Sequence, residues 1–163
     1  MTQCSIKSKT NNIIPDFTPF PEYYLVWNFL FDLNQYYPNL KDWFFNKVCP
    51  DIAIGKRKII LKQSGYRVIA VAILKKSYEE KKICTFRVSK NEQKNGVGTE
   101  LMQESLEWLD CDKPLITVNE ENATEFEHFL KKFNFQKTHE SLSLYRPGKK
   151  EIIYNHPKIN FYG

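Results

Sequence analysis

The sequence predicts an α/β domain of the α+β type, in which a mixed, mostly antiparallel central sheet is flanked by about four helices. Two changes in the hydrophobic pattern predict this fold. The first 50 residues place apolar side chains at helical spacing, and three consecutive strand-like runs follow. Strands then alternate with helices along the rest of the chain. No repeat or linker interrupts the 163 residues, which therefore predict one domain.

The N-terminal part contains two predicted helices. The first spans residues 21–33, because Pro21 suits the opening position of a helix and apolar residues recur at helical spacing. The second spans residues 40–48, with Asn39 as its N-cap and Pro50 as its end. Half of the aromatic residues lie in this part of the chain, more than one helical core stripe can bury. Some are therefore expected to line a groove or a partner surface, although a purely structural helical pair is an equal alternative.

A three-stranded meander is predicted next. Its strands are expected at residues 58–63, 67–74 and 83–88. The first two are separated by Ser64-Gly65, which predicts an antiparallel hairpin. In the third strand, alternation places Cys84, Phe86 and Val88 on one face, so Cys84 is expected to be a packing thiol.

The remaining residues are predicted to alternate between helix and strand. A helix over residues 97–109 is followed by a short buried strand over 115–118. A second helix over 123–133 is expected to stop at Asn134 in a left-handed conformation. Three final strands are predicted at residues 135–138, 142–145 and 151–154.

Composition excludes several classes of protein. With 42% hydrophobic and 26% charged residues the chain is neither disordered nor dependent on disulfides for a core. Its longest apolar run is about half of the roughly 20 residues that a membrane span needs. The N-terminus lacks the pattern of a signal peptide, and the four cysteines lack C-x-x-C spacing, so we expect a cytoplasmic protein without a membrane partner. The histidines show no metal-ligand spacing, and no metal is predicted.

The net charge of +5 hides a strong alternation along the chain. Residues 46–98 carry thirteen Lys and Arg against four acids, a net +9, whereas residues 99–130 carry nine acids against Lys113, a net −8. A uniformly phosphate-binding surface is therefore disfavoured, and a local anion site beside the basic block fits better. Ordinary solvated faces of helices and strands are the alternative.

A glycine-containing loop lies between the third strand and the helix that begins at residue 97. Its Gly96-Val97-Gly98 sequence allows backbone N–H groups at the start of that helix to converge on an anion such as a pyrophosphate. No Gly-Lys-Ser/Thr follows, which excludes an NTPase P-loop, and Leu101 replaces the third glycine of a dinucleotide-binding loop. A tight turn without a ligand is the simpler alternative.

The loop resembles the acetyl-CoA signature of the GNAT superfamily of N-acetyltransferases, Q/R-x-x-G-x-G/A. Gln93 to Gly98 match this signature, and Val88 stands where the family places the valine that ends its fourth strand. The segment from Phe129 to Phe135 resembles the "Tyr-Glu-Lys-x-Gly-Phe" helix end of the family. The resemblance implies one GNAT-like domain over residues 1–163. Within it, residues 1–50 would form a helical acceptor-side segment, 56–146 an acetyl-CoA-binding core, and 150–163 a terminal strand and tail.

Cofactor-binding residues follow from the resemblance. Backbone groups from Gln93 to Thr99 would bind the pyrophosphate of coenzyme A, and the strand residues at 86–88 would pair with the pantetheine arm. Asn122 is one position away from the usual asparagine of the family and would touch the same arm. The residues so implied are Phe86, Arg87, Val88, Gln93, Lys94, Asn95, Gly96, Val97, Gly98, Thr99 and Asn122.

Catalytic residues are harder to transfer from the family. Leu130 occupies the position of the tyrosine that serves as acid in many members, and Lys82 occupies the position of a strand carboxylate. Glu120 and Glu121, as a proton relay through water, and Tyr145 are the nearest substitutes.

The sequence therefore predicts an acyltransferase that moves an acetyl group from acetyl-CoA, its cosubstrate, to a primary amine by direct attack in a ternary complex. The acceptor is left open among small molecules, proteins and aminoacyl-tRNA, and a homodimer is left open as well. A non-catalytic GNAT-fold module that binds coenzyme A or a protein partner is the main alternative. A basic nucleic-acid binder is a third alternative, without a recognised motif.

Overall fold

The computed structural model of the chain describes residues 21–157. The first part of the predicted helical segment, at residues 1–20, lies outside the described residues. So does the predicted tail beyond residue 157.

Helices form most of the N-terminal part, as predicted. Helix α1 (Pro21–Leu30) continues as a 3₁₀ turn (Phe31–Gln35). A second helical stretch consists of α2 (Leu40–Trp43), a π-helical turn (Phe44–Val48) and α3 (Cys49–Ala53).

The predicted stop at Pro50 is wrong. The π-helical turn ends the first run of α-helical hydrogen bonds, so Pro50 falls in the first turn of α3. The missing N–H of a proline has little cost there, because the first N–H groups of a helix have no partner within it. The Asn39 side chain makes no capping hydrogen bond.

One six-stranded sheet organises the rest of the chain and confirms the predicted fold class. Its order is β1-β2-β3-β4-β6-β5, and every neighbouring pair is antiparallel except β3 with β4. The elements are β1 (Arg57–Ser64), β2 (Arg67–Lys76), β3 (Lys81–Val88), α4 (Val97–Leu109), β4 (Leu115–Asn119), α5 (Ala123–Lys131), β5 (Lys137–Leu142) and β6 (Lys150–Tyr154). The C-terminal strand β6 therefore lies inside the sheet, between β4 and β5.

The predicted strand at residues 142–145 is wrong. A single strand, β5, ends at Leu142, and a loop follows in which Ser143 has a φ of 59°. The Ser143 hydroxyl accepts a hydrogen bond from the Gly148 N–H at 2.9 Å, which closes the loop on itself. Leu142 and Leu144, which suggested a strand, are 65% and 47% exposed. The left-handed stop at Asn134 is confirmed, with a φ of 57°.

Two hydrophobic cores lie on opposite faces of the sheet, because successive strand residues point to opposite sides. On β2, Ala70, Ala72 and Leu74 face α4 and α5, whereas Val71 and Ile73 face the N-terminal helices. Six of the twelve residues of the predicted aromatic cluster lie in this second core, where Phe44 is fully buried. The 3₁₀ turn that extends α1 is fixed to the sheet by Arg87 of β3, which donates hydrogen bonds to the Phe29 carbonyl at 2.8 Å and to Asp32.

A β-bulge in β3 corrects the predicted position of Cys84. Ile73 is opposite Thr85 but the next residue, Leu74, is opposite Ile83, so Cys84 is the extra residue. The inserted residue reverses the alternation, and Cys84 packs with the second core instead of sharing a face with Phe86 and Val88. It is a packing thiol, as predicted, and burial raises its pKa.

Within residues 21–157, none of the helices combines the length and the apolar character needed to cross a bilayer.

We predict that Phe44→Ala lowers the free energy of unfolding by about 3–5 kcal/mol, because it removes a fully buried ring from the second core. Urea denaturation measures the loss. Phe31→Ala is the control: that ring is 59% exposed, and its removal should cost no more than about 0.5 kcal/mol. Equal losses in the two variants would show that the second core does not carry the N-terminal helices.

Candidate functional site

A V-shaped opening in the sheet lies between β3 and β4. The two parallel strands pair only at their beginnings, through Lys82 with Leu115 and Ile83 with Ile116. The bulge at Cys84 follows immediately, and β3 then continues to Val88 without a β4 partner. Because a bulge bends its strand and increases the local twist, it accounts for the divergence of the two strands.

The edge of β3 that faces this opening carries unpaired backbone groups. The Ser89 N–H points the other way and donates to the Ile69 carbonyl at 2.8 Å. Since N–H groups alternate between the two edges of a strand, the Val88 and Phe86 N–H groups point into the opening. An extended ligand could pair with this edge as an additional strand would.

The loop after β3 leads from the opening to the start of α4. Lys94 and Gly96 have positive φ values of 78° and 81°. Loop closure is supported by the Gln93 side-chain amide, which donates to the Val88 carbonyl at 3.3 Å, and by the ion pair of Glu92 with Arg67 at 3.2 Å.

The N-terminus of α4 is open for an anion. The first helical hydrogen bond runs from the Glu100 N–H to the Gly96 carbonyl at 3.0 Å, and no side chain caps the helix end. The N–H groups of residues 97–99 precede that bond and point out of the helix. With the helix dipole, they give this helix start the geometry expected of the predicted anion nest, and anion binding there stays a prediction.

Gly98 allows the helix end to approach the sheet closely. A Cβ at this position would lie 3.4 Å from Cε2 of Phe129 and 3.5 Å from Cγ2 of Val88. Phe129 and Phe126 of α5 also contact Phe86, with ring centroids 5.5 and 5.8 Å apart. These rings close one face of the V-shaped opening.

A cluster of polar side chains lies at the far end of β4, on the face of the N-terminal helices. Asn119 ends β4 and is opposite Glu151 of β6. Tyr37 interacts with the Asn119 side chain, and burial and the charge of Glu151 raise its pKa. The Tyr145 ring stands edge-on to that of Tyr37, with centroids 5.3 Å apart. We call Tyr36, Tyr37, Asn119, Glu120, Glu121, Tyr145, Arg146 and Glu151 the polar cluster.

Arg146 is held in one orientation within the polar cluster. Its Nη2 donates to Oε2 of Glu121 at 2.6 Å, and its guanidinium lies over the Tyr36 ring at 5.2 Å from the centroid. The guanidinium lowers the pKa of Glu121 to about 2, so that carboxylate is a poor proton acceptor near neutral pH. Lys149 adds ion pairs to Glu120 at 3.4 Å and to Glu121 at 3.5 Å.

Glu151 is the unusual member of the polar cluster. Only 2% of its surface is exposed, and its Oε2 has no hydrogen-bond partner among residues 21–157. Burial raises its pKa to about 7, with Glu121 and Glu120 adding to the shift and Arg146 and Lys82 opposing it. The Nε of Arg146 is also buried without a partner in the described chain.

The structure brings the residues predicted from the sequence into two places. Of the predicted cofactor residues, Phe86 and Val88 line the V-shaped opening, those from Gln93 to Thr99 form the loop and the start of α4, and Asn122 stands at the N-terminus of α5. Arg87 does not line the opening, because its N–H faces β2 and its side chain binds Phe29 and Asp32. Glu120, Glu121 and Tyr145 fall in the polar cluster. Leu130 is fully buried in the core. No proton donor therefore stands where the family places its tyrosine.

Sequence reasoning missed Tyr37, Arg146 and Glu151. Glu151 had one detectable signal, a single carboxylate beside Ile152 and Ile153 in a predicted strand. A glutamate in such a buried strand is rarely fully buried unless its carboxylate has a partner.

The acidic block of the sequence is largely neutralised in the fold. Lys62 pairs with Glu100 and Glu104 on α4, and Lys131 pairs with Glu127 on α5. It therefore does not form one cation-attracting surface. Within the described part of the chain, His, Cys, Asp and Glu side chains form no group able to hold a metal ion.

Comparisons with known proteins agree on one family. The sequence profile of the acetyltransferase (GNAT) family matches residues 21–135. No curated protein sequence is significantly similar to the chain.

Solved structures are similar in fold. A protein of the GNAT family from Desulfovibrio desulfuricans superposes with a TM-score of 0.66 at 14% identity, covering 84% of this chain and 93% of that one. The ribosomal-protein-S18-alanine N-acetyltransferase of Escherichia coli gives a TM-score of 0.51 at 16% identity, covering 66% and 76%. A GNAT acetyltransferase from Elizabethkingia anophelis with acetyl-CoA bound gives 0.51 at 14% identity, covering 66% and 80%.

We predict that Glu151 makes the protein less stable as pH rises. Its pKa is raised in the folded state, so the folded protein binds an extra proton between about pH 4.5 and pH 7, and this stabilisation is lost as pH rises through 7. Glu151→Gln should therefore gain stability relative to the wild type by roughly 2–3 kcal/mol between pH 5 and pH 8. Urea denaturation at the two pH values tests this, and a stability difference that does not change with pH would contradict it.

Proposed function

This chain belongs to the GNAT family of acetyltransferases, and we propose that it moves an acetyl group from acetyl-CoA to a primary amine. The observation that carries the proposal is that the open edge of β3 leads directly into the loop before the uncapped start of α4. A long ligand with phosphates at one end and a reactive thioester at the other matches this order of groups.

The anion nest would hold the phosphates of acetyl-CoA. The N–H groups at residues 97–99 supply hydrogen bonds and the positive end of the helix dipole to a pyrophosphate. Gly96 reaches its φ of 81° without strain, and the small Gly98 keeps the helix end against Val88. Lys90 and Lys94 are exposed beside the loop and would meet the outer phosphate.

The open edge of β3 would hold the pantetheine arm. The N–H and carbonyl groups of Phe86 face the opening and suit the amides of that arm. The Val88 N–H would donate to the thioester oxygen and stabilise the negative charge that develops there during attack.

Acetyl transfer would then proceed by direct attack in a ternary complex. The amine nitrogen forms a bond to the thioester carbonyl carbon, the carbon–sulfur bond breaks, and the thiolate of coenzyme A leaves. A proton must leave the attacking nitrogen, and the thiolate must gain one. Glu120 and Glu121 hold the loop between β5 and β6 through their ion pairs, and their role as a proton relay, like that of Tyr145, stays a prediction.

A non-catalytic module that binds coenzyme A is the second candidate. The buried Leu130 favours it, because the usual acid of the family is missing. Calorimetric binding of acetyl-CoA followed by a thiol-release assay with a panel of amines separates the two. Binding with release supports the enzyme, binding without release on any amine supports the module, and the absence of binding contradicts both.

We predict that Gly96→Val weakens acetyl-CoA binding at least tenfold, because a β-branched residue cannot keep a φ of 81° and the nest would change shape. Isothermal titration calorimetry measures the affinity. Gly65→Val is the matched control: Gly65 also has a positive φ, 60°, and open space around it, but it lies in the β1–β2 hairpin. Equal affinity in both variants would argue against the nest.

A further inference from the structure

We propose that the polar cluster binds an acceptor with the head of an α-amino acid, Glu151 receiving the ammonium and Arg146 the neighbouring oxygen. The unit is a primary amine whose adjacent carbon carries a carboxylate or carbonyl. The inference rests on the proposed acetyl transfer and names the substrate class of the same site.

Two buried polar atoms of opposite character carry the argument. Oε2 of Glu151 lacks a donor and Nε–H of Arg146 lacks an acceptor within residues 21–157. Burial without a partner is strongly unfavourable for polar atoms, so such atoms commonly mark a site that a ligand or ordered water completes. The charge of Arg146 influences Glu151, but the ion pair of Arg146 is with Glu121. Glu121 and the Tyr36 ring therefore fix the guanidinium while its Nε stays available.

The two unpartnered atoms require different partners. Glu151 needs a hydrogen-bond donor, which an ammonium supplies, and Arg146 needs an acceptor oxygen. An α-amino acid unit has both groups, separated by a single α-carbon and the carboxyl or carbonyl carbon. A polyamine offers only donors, so it would leave the Arg146 Nε unsatisfied and bring a second positive charge towards the guanidinium.

Glu151 is placed to take a proton from the bound ammonium. It stands opposite Asn119, at the end of β4 that borders the V-shaped opening. The charged and titratable groups that face it come from each surrounding element: Lys82 of β3, Glu120 and Glu121 after β4, Arg146 of the β5–β6 loop, and Tyr37. Burial has a larger effect on the pKa of Glu151 than any of these groups, and it makes the carboxylate a base suited to neutral pH.

The proton balance of the reaction is then complete. The ammonium transfers one proton to the Glu151 carboxylate, and the neutral nitrogen attacks the thioester carbon. As the carbon–sulfur bond breaks, the second proton passes from nitrogen to the thiolate sulfur. The products are the N-acetylated acceptor and coenzyme A, and Glu151 returns its proton to solvent.

The experiment compares acceptors with and without an oxygen on the neighbouring carbon. Each kcat/KM is calculated from the free-amine concentration, because that oxygen also lowers the pKa of the amine. Thiol release from acetyl-CoA is measured with ethylamine, spermidine, alanine, alaninamide and alanyl-alanine. We expect kcat/KM to be at least tenfold higher for the last three than for ethylamine. Among them, preference for alanine indicates a free amino acid, and preference for alaninamide and alanyl-alanine indicates the N-terminus of a chain. Equal or faster transfer to ethylamine or spermidine would overturn the proposal.

Two variants assign the roles within the site. Glu151→Gln should lower kcat/KM at least a hundredfold for every acceptor and abolish the fall in rate below about pH 7. Arg146→Lys should bring the preference for alanine over ethylamine close to one, because a lysine loses the Nε–H in that position. Glu140→Gln is the control, because Glu140 is an exposed glutamate of the neighbouring strand β5. It should change neither kcat/KM nor the preference for alanine over ethylamine.

Acetyl-CoA affinity separates failure of this inference from failure of the proposed function. Both variants should bind acetyl-CoA as the wild type does, which also shows that they are folded. Transfer to amines without preference for the neighbouring oxygen overturns only the assignment of the site. Absence of acetyl-CoA binding, or of transfer to every amine, overturns the proposed function and this inference with it.

Discussion

The separation of β3 from β4 is the constraint on which the rest of the structure depends. Two residue pairs join the strands, and the bulge at Cys84 then turns β3 away, so a parallel sheet edge that would normally be paired stays open. Unpaired backbone groups inside a fold are costly unless a ligand or water satisfies them. The helix α4, the aromatic rings of α5 and the N-terminal helices all pack around this opening. A fully paired mixed sheet would satisfy these groups but would leave no open strand edge for a ligand.

Charged groups are arranged around the opening in distinct places. The loop before α4 offers N–H groups and exposed lysines, whereas the polar cluster contains a buried carboxylate and a guanidinium held by Glu121. The ion pairs of Glu120 and Glu121 with Lys149 and Arg146 hold the β5–β6 loop over β4. Arg87 anchors the N-terminal helical segment from the opposite strand, which keeps Tyr37 against the polar cluster.

The departures of this chain from its family have a structural explanation. Where the family places an acidic tyrosine, Leu130 is buried completely in the first core, and the strand position of a carboxylate is Lys82. Glu151 of β6 lies on the opposite face of the sheet from Leu130, where it is opposite Asn119 of β4. Lys82 is among the charges that act on Glu151 and opposes the rise in its pKa. In our proposal the proton acceptor is on β6, and acetyl-CoA still binds along β3.

The sequence by itself determined what is local. Helix α4 begins and ends where periodicity predicted, and the β1–β2 hairpin and the left-handed Asn134 follow from turn chemistry. The glycine loop was predictable for the same reason, since an anion nest is made by consecutive residues. The bulge at Cys84, the π-helical turn before Pro50 and the exposed loop after Leu142 were not, because each depends on register with another element. Only the tertiary structure decided that Tyr37, Arg146 and Glu151 meet. Tyr37 and Glu151 are more than a hundred residues apart in the sequence. The burial that raises the pKa of Glu151 comes from tertiary packing, so it cannot be read from the order of the residues.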